Sequence, residues 1–329
     1  MNVLVGVISP FEAWILPRPF VDRLREEFPQ HTFVDVWDEE GIRRNLPDAD
    51  VAFTPFVARE IFPSLTRLRW VQSPAVGVGS LLFPEMLASR VILTSARGIR
   101  ARAIAEHVIG ATIALARQFP AAMRFQVAHR WGQDALEGKS TAIMTIHGRR
   151  MGIVGLGSIG KEIARLAGPL GMRVAGIQRN IQDAQLPAGV EEVMPPEDLP
   201  RLLAASDVVV LAAPLTPETR GLIGAKQVAA MKRGAFLINI SRGKLVVDEA
   251  IVNGLNSGQL GGAALDVFEH EPLDPASPYW DAPNVIITPH TSGAMQDYWT
   301  PLVALFSENL HRFERGDSLL NVVDKTSGY

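Results

Sequence analysis

Arg242, Glu271 and His290 each stand just past an apolar run, in LINISRG, ALDVFEHEP and VIITPHTSG. A histidine at such a place can donate a proton near neutral pH, because its ordinary titration range lies there. A neighbouring carboxylate favours the imidazolium and fixes the ring. A guanidinium grips a carboxylate through its planar fork and polarises an adjacent carbonyl. The trio suits reduction of a 2-keto acid, in which hydride reaches the keto carbon while a proton reaches its oxygen. Asp266, five residues before Glu271 in the same segment, can hold a nicotinamide carboxamide. The other histidines carry less chemistry: His107 beside Glu106 reads as a structural pair on a helix, and His270 between two acids reads as exposed.

A nicotinamide needs a dinucleotide site, and VGLGSIGKEIARLAGPLGMRVAGIQRN supplies its pattern. Gly155, Gly157 and Gly160 make G-x-G-x-x-G directly after an apolar strand and before a helix, the context that gives this motif its weight. The first glycine permits a tight turn, the second lets backbone approach a pyrophosphate, and the third lets helix and strand pack closely. The helix N-terminus offers unpaired N–H groups to the phosphates. The next strand ends in Gln178, Arg179 and Asn180, where an acid would bind the free ribose hydroxyls of NAD. A neutral Gln178 does not repel a 2′-phosphate and Arg179 can pair with one, so NADP(H) is favoured over NAD(H). The competing reading, with Gln178 on the ribose of NAD and Arg179 an ordinary surface residue, stays open.

These residues need strand ends to hold them, and the chain reads as two runs of strand–helix alternation, which argues for parallel sheets. In the first, NVLVGVI, HTFVDVW, DVAFTPF, LRWVQSP and VILTSAR read as strands, and PFVDRLREEFP as a helix closed by Pro29. IRARAIAEHVIGATIALARQFP then spaces Ile104, Val108, Ala111 and Leu115 along one face, a long helix ending before Pro120. FQVAHRWGQDALEGKSTAIMT reads as an irregular crossing. The second run has six strands, MGIVGLG, RVAGIQ, DVVVLAAP, AFLINIS, GAALDVF and NVIITPH, matching a doubly wound dinucleotide domain. A last helix, starting near Thr300 and Pro301 and ending at Gly316, shows Leu302, Leu305, Phe306, Leu310 and Phe313 on one face. In an open parallel sheet, ligands sit beyond the carboxyl ends of the strands, so the glycine loop and the trio point to one crevice.

With 329 residues, 47% of them hydrophobic, the chain is long enough for two globular domains. A net charge of −3 and the absence of any long basic run argue against nucleic acid. The absence of cysteine excludes disulfides, thiolate nucleophiles and cysteine-ligated metals, and no metal site is expected. MNVLVGVIS reads as a buried first strand rather than a signal peptide, and no stretch approaches the roughly 20 apolar residues of a membrane span. A soluble, cytoplasmic protein is the expectation.

The segments GIVGLGSIGKEIARLAGPLGMRV, PLTPETRGLIGAKQVAAMKRGAFLINISRGKLVVDEAI and GAALDVFEHEPLDPASPYWDAPNVIITPH resemble the D-isomer-specific 2-hydroxyacid dehydrogenase family, closely over residues 91–290 and more loosely before. The resemblance implies an α/β fold of two doubly wound parallel-sheet domains: a Rossmann cofactor domain, residues 100–290, inserted into a discontinuous flavodoxin-like substrate domain, residues 1–99 and 291–329. It implies that Arg242 binds substrate, that Glu271 partners His290, and that His290 is the acid/base and also touches substrate. Asp266 matches the nicotinamide contact, and Ala213–Pro214 a cofactor loop. Ser158, Ile159, Ile240 and Gly293 join the glycines, Gln178, Arg179 and Asn180 as cofactor residues. SPAVGVG resembles the loop whose N–H groups, at Val76 and Gly77, hold the substrate carboxylate. The implied enzyme is a homodimeric, NAD(P)-dependent oxidoreductase for a small 2-keto or D-2-hydroxy acid, like a glyoxylate or hydroxypyruvate reductase. Gln178 departs from the Asp of many members and puts NAD use in question. Two other readings remain: an NAD(P)-sensing binding protein, and a phosphite dehydrogenase-like activity.

Overall fold

A computed structural model of the chain describes residues 1–10, 12–138, 143–179, 181 and 186–326. They form two compact units, residues 1–99 with 296–329, and residues 100–295. Among the described residues, no helix is long and apolar enough to cross a membrane.

The first unit holds strands β1 (Asn2–Val5), β2 (Thr32–Asp35), β3 (Val51–Phe53), β4 (Trp70–Gln72) and β5 (Ile92–Thr94). They pair in parallel in the order β2-β1-β3-β4-β5, the flavodoxin-like order. The helix Arg18–Glu27 stops two residues before Pro29. The helix Trp299–Arg315 returns the chain to this unit, stacking Phe306 on Phe53 at 4.6 Å and on Trp70 at 5.3 Å. It starts before Thr300, whose N–H is taken by Asp297 Oδ1 at 3.1 Å, and ends at Gly316 with φ of 74°.

The second unit holds β6 (Arg150–Val154), β7 (Arg173–Ile177), β8 (Val190–Met194), β9 (Val208–Leu211), β10 (Ala235–Asn239), β11 (Leu260–Leu265) and β12 (Val285–Ile287). All are parallel, in the order β12-β11-β10-β9-β6-β7-β8. The order reverses between β6 and β9, the switch point at which doubly wound sheets bind ligands. Helices cover both faces, so the central strands are nearly all apolar. Val208, Val210, Phe236 and Ile238 pack on the side of the helices Ala101–Ala116 and Ser158–Ala167. Val209, Leu211 and Leu237 pack on the opposite side.

Three features differ from the sequence reading. β8 is a seventh strand, on the edge of the sheet; its sequence VEEVM carries two acids, which pair with Arg173 at 3.1 Å and Arg150 at 2.5 Å. The long helix ends at Ala116, and Gln118, with φ of 58°, begins another, Phe119–Val127, in which Pro120 occupies the first turn. The crossing thus contains the end of this helix and a short one at Gln133–Glu137, and its other described residues have no regular structure.

Candidate active site

The loop after β6 meets the demands of its three glycines in three different ways. Gly155 has φ of 105°, and a Cβ there would fall 2.6 Å from the Ala213 nitrogen. A Cβ on Gly160 would fall 2.1 Å from the Gly155 carbonyl oxygen, so the helix Ser158–Ala167 can seat on the loop only without a side chain there. Around Gly157 nothing lies within 4 Å of a built Cβ, which leaves bare backbone open to a ligand. No side chain caps this helix, so the N–H groups of Ser158, Ile159 and Gly160 are the first-turn donors that lack helical acceptors. This cradle, with aligned donors and partial positive charge, fits a pyrophosphate.

Ala213 and Pro214 follow β9 directly across the switch point, and the Ser241 hydroxyl donates to the Ala213 carbonyl. Gln178 is fixed by its N–H to the Met194 carbonyl at 3.0 Å, while Arg179 is exposed. The Glu218 carboxyl is held below the usual range, first by a hydrogen bond with Thr216 and then by its own backbone, with the charge of Arg179 adding to them. Arg179 therefore lies within electrostatic reach of the loop after β9. Asn180 lies outside the described residues. Ile240 is buried, and a Cβ on half-buried Gly293 would sit 3.1 Å from Arg100 Cδ.

The trio comes from the ends of three adjacent strands. His290 Nδ1 lies 2.8 Å from Glu271 Oε2, and Glu271 Oε1 accepts the Phe268 N–H at 2.9 Å. Both side chains are partly exposed, which keeps the other ring nitrogen open to a substrate. Arg242 is exposed; its guanidinium donates to its neighbour's carbonyl, Ser241 O, at 2.7 Å, and pairs with no carboxylate among the described residues. One contact joins the segments of Arg242 and Glu271, and the Asn239 side chain fixes the loop that carries Arg242. A Cβ on Gly243 would fall 1.9 Å from the Phe268 carbonyl carbon, so the backbone beside Arg242 rests on the segment leading to Glu271. Asn239 accepts from Ser241 N–H at 3.1 Å and donates to the Arg242 carbonyl at 3.0 Å.

Asp266 is buried and directs its carboxylate at Thr288, Thr291 and Ser292, around His290. The sequence reading passes over Asn239, Thr288 and Ser292; the only hint is a run of small polar residues beside Arg242 and His290. His107 does not pair with Glu106, which instead binds Arg102 at 2.5 Å. Burial lowers the pKa of His107, against the opposing charge of Asp266, so its ring is held neutral at neutral pH.

Val76 and Gly77 belong to the first unit, in an exposed bend after β4. The bend is fastened by Ala75 N–H to Ser73 Oγ at 3.1 Å, by Ala96 N–H to the Ala75 carbonyl at 3.0 Å, and by the Tyr298 hydroxyl to the Pro74 carbonyl. The N–H groups of Val76 and Gly77 have no partner among the described residues. No group of three or more residues suited to a metal occurs among the described residues.

A family model for the NAD binding domain of D-isomer specific 2-hydroxyacid dehydrogenases matches residues 109–292. A glyoxylate reductase of Korarchaeum cryptofilum is 33% identical over 326 residues, spanning 94% of this chain and 96% of that one. A D-isomer specific 2-hydroxyacid dehydrogenase from Xanthobacter autotrophicus, solved with NADPH and MES, superposes with a TM-score of 0.82 at 30% identity, covering 99% of each chain. An NADPH-dependent glyoxylate/hydroxypyruvate reductase from Sinorhizobium meliloti, solved with NADP and sulfate, gives 0.80 at 30% identity and covers 100% of each.

Proposed function

Because the chain belongs to the D-isomer specific 2-hydroxyacid dehydrogenase family, we propose that it reduces a small 2-keto acid, of the size of glyoxylate or hydroxypyruvate, with NADPH. The observation that carries this reading is the 2.8 Å pair of His290 and Glu271, at strand ends adjacent to that of Arg242, which pairs with no carboxylate among the described residues.

When bound, the nicotinamide cofactor supplies a hydride to the keto carbon. Gly155, Gly157, Ser158, Ile159 and Gly160 would hold its pyrophosphate, with Ala213, Pro214, Ile240 and Gly293 along the remaining crevice. Gln178 and Arg179 would meet the adenosine end, where Arg179 would pair with a 2′-phosphate and Gln178 would not repel it. Arg242 binds the substrate carboxylate and draws electron density toward the keto oxygen. His290, charged and oriented by Glu271, gives its proton to the keto oxygen as the C–H bond forms. Keto acid, hydride and proton then sum to the hydroxy acid, and solvent reprotonates the imidazole.

Two properties complete the proposal: a homodimer in solution, and residence in the cytoplasm, which suits a cysteine-free chain. The test is steady-state turnover on a panel of 2-keto acids with NADPH and with NADH. Turnover on a small keto acid, with kcat/KM higher for NADPH, is expected. Tight cofactor binding without turnover on any member would favour a sensing protein instead.

A further inference from the structure

We infer that Asp266 is the positioning residue of His290: its buried carboxylate brackets the turn that carries the imidazole, through Thr288, Thr291 and Ser292. The inference rests on reading His290 as the proton donor.

His290 has φ of 56°, in the left-handed region that residues with a Cβ seldom adopt. A turn of that kind relaxes unless its surroundings hold it. Here Asp266 holds it from both its backbone and its side chain. The His290 N–H reaches the Asp266 carbonyl at 2.9 Å and the Thr288 carbonyl at 2.9 Å. Asp266 Oδ1 accepts the Thr288 hydroxyl at 2.6 Å, the Thr291 N–H at 2.8 Å and the Ser292 N–H at 3.0 Å. Oδ2 accepts the Ser292 N–H at 3.1 Å and the Ser292 hydroxyl. The donors thus lie on both sides of His290 in the chain.

A carboxylate has about four lone-pair sites, and these four donors fill them. Asp266 is 1% exposed, so the bonds are shielded from water. A carboxylate so engaged is committed to the turn, a task different from the contact with the nicotinamide carboxamide that the family pattern implies. The consequence for chemistry is geometric. Glu271 orients the ring only if the ring stands where the turn puts it, and a misplacement of about 1 Å can cost about 100-fold in rate.

The two roles for Asp266 predict different losses. A cofactor contact would show in the affinity for NADPH, whereas a bracket shows in kcat. The test uses Thr288→Val and Ser292→Ala, each removing one hydroxyl from the bracket, with Thr288→Ser as the conservative control. Asp266→Asn is read beside them, because a buried amide facing N–H donors can itself unfold the turn. NADPH affinity is titrated without keto acid, kcat is measured at saturation, and amide exchange is followed by NMR. We expect Thr288→Val and Ser292→Ala to lower kcat at least about 10-fold, with NADPH affinity unchanged and with Thr288→Ser restoring the rate. The amides of His290, Thr291 and Ser292 should exchange faster in Thr288→Val, while those of β10 and β11 do not. Unchanged kcat and unchanged exchange in both variants would overturn the bracket, as would a loss confined to NADPH affinity. If the wild type turns over no 2-keto acid, the functional reading fails, and the exchange measurement still decides whether Asp266 holds the turn.

Discussion

At the scale of single residues, the site divides into groups that touch reactants and groups that choose the cofactor. His290→Gln removes the only proton donor in the trio, so the reductive rate should fall at least about 100-fold, the usual scale of acid–base catalysis, while cofactor binding survives. Near-normal turnover in stopped-flow or steady-state assays would rule out the assignment. Glu271→Ala removes the carboxylate that fixes the ring at 2.8 Å, so kcat should fall at least about 10-fold while NADPH affinity holds. An unchanged kcat would count against the pair. At the adenosine end, a charge-assisted bond to a 2′-phosphate contributes about 1.5–3 kcal/mol. Arg179→Ala should therefore weaken NADPH by about 10- to 150-fold and leave NADH nearly unchanged, and Gln178→Asp should add repulsion to that loss. The ratio of kcat/KM for NADPH over NADH measures both. An Arg179→Ala enzyme with the wild-type ratio would show that this strand end does not select the cofactor.

At the scale of elements, the glycine loop separates packing from binding. Gly160→Ala drives a methyl to 2.1 Å from a backbone oxygen, so the helix Ser158–Ala167 must shift. Overpacking of this kind costs about 1–3 kcal/mol, and the melting temperature should drop. Gly157→Ala meets no atom within 4 Å, so the melting temperature should hold while the methyl intrudes on the bound pyrophosphate and NADPH affinity falls. Calorimetry and a cofactor titration on both variants check the contrast; equal loss of stability in the two would refute it. These elements were legible because a fully buried parallel strand leaves a continuous apolar run, as VVVL and AFLIN do, and because Arg242, Glu271 and His290 interrupt such runs at their ends. β8 was not legible, since an edge strand with one face toward solvent needs no such run and VEEVM carries two acids. Thr288 and Ser292 were not legible for a different reason. Their role arises only when β11 and β12 pair in register, bringing Asp266 to residues remote in sequence.

At the scale of the whole molecule, the helix Phe119–Val127 poses the remaining question, because it buries none of its residues. Pro120 read as the stop of the preceding helix, but at the first turn proline loses no hydrogen bond and starts a new one. Phe119, Met123, Val127 and Trp131 recur every fourth residue and are 51%, 63%, 81% and 90% exposed. Residues four apart share a helix face, so Phe119, Met123 and Val127 form an apolar stripe with Trp131 just beyond its end. Soluble monomers seldom leave contiguous apolar patches of more than a few hundred Å² in water. The stripe is the surface on which the proposed homodimer is best argued, since a stable interface needs about 800 Å² per partner with an apolar, aromatic centre. Charges placed there must be desolvated on association, so Met123→Glu with Val127→Lys should dissociate the dimer. Neither residue belongs to the trio or to the glycine loop, and both are surface positions, so the fold should persist by circular dichroism. Sedimentation equilibrium should give about twice the chain mass of 35.8 kDa for wild type and 35.8 kDa for the double variant. A wild type that sediments as a monomer would remove the dimer itself, and a variant that stays dimeric would move the interface to another face.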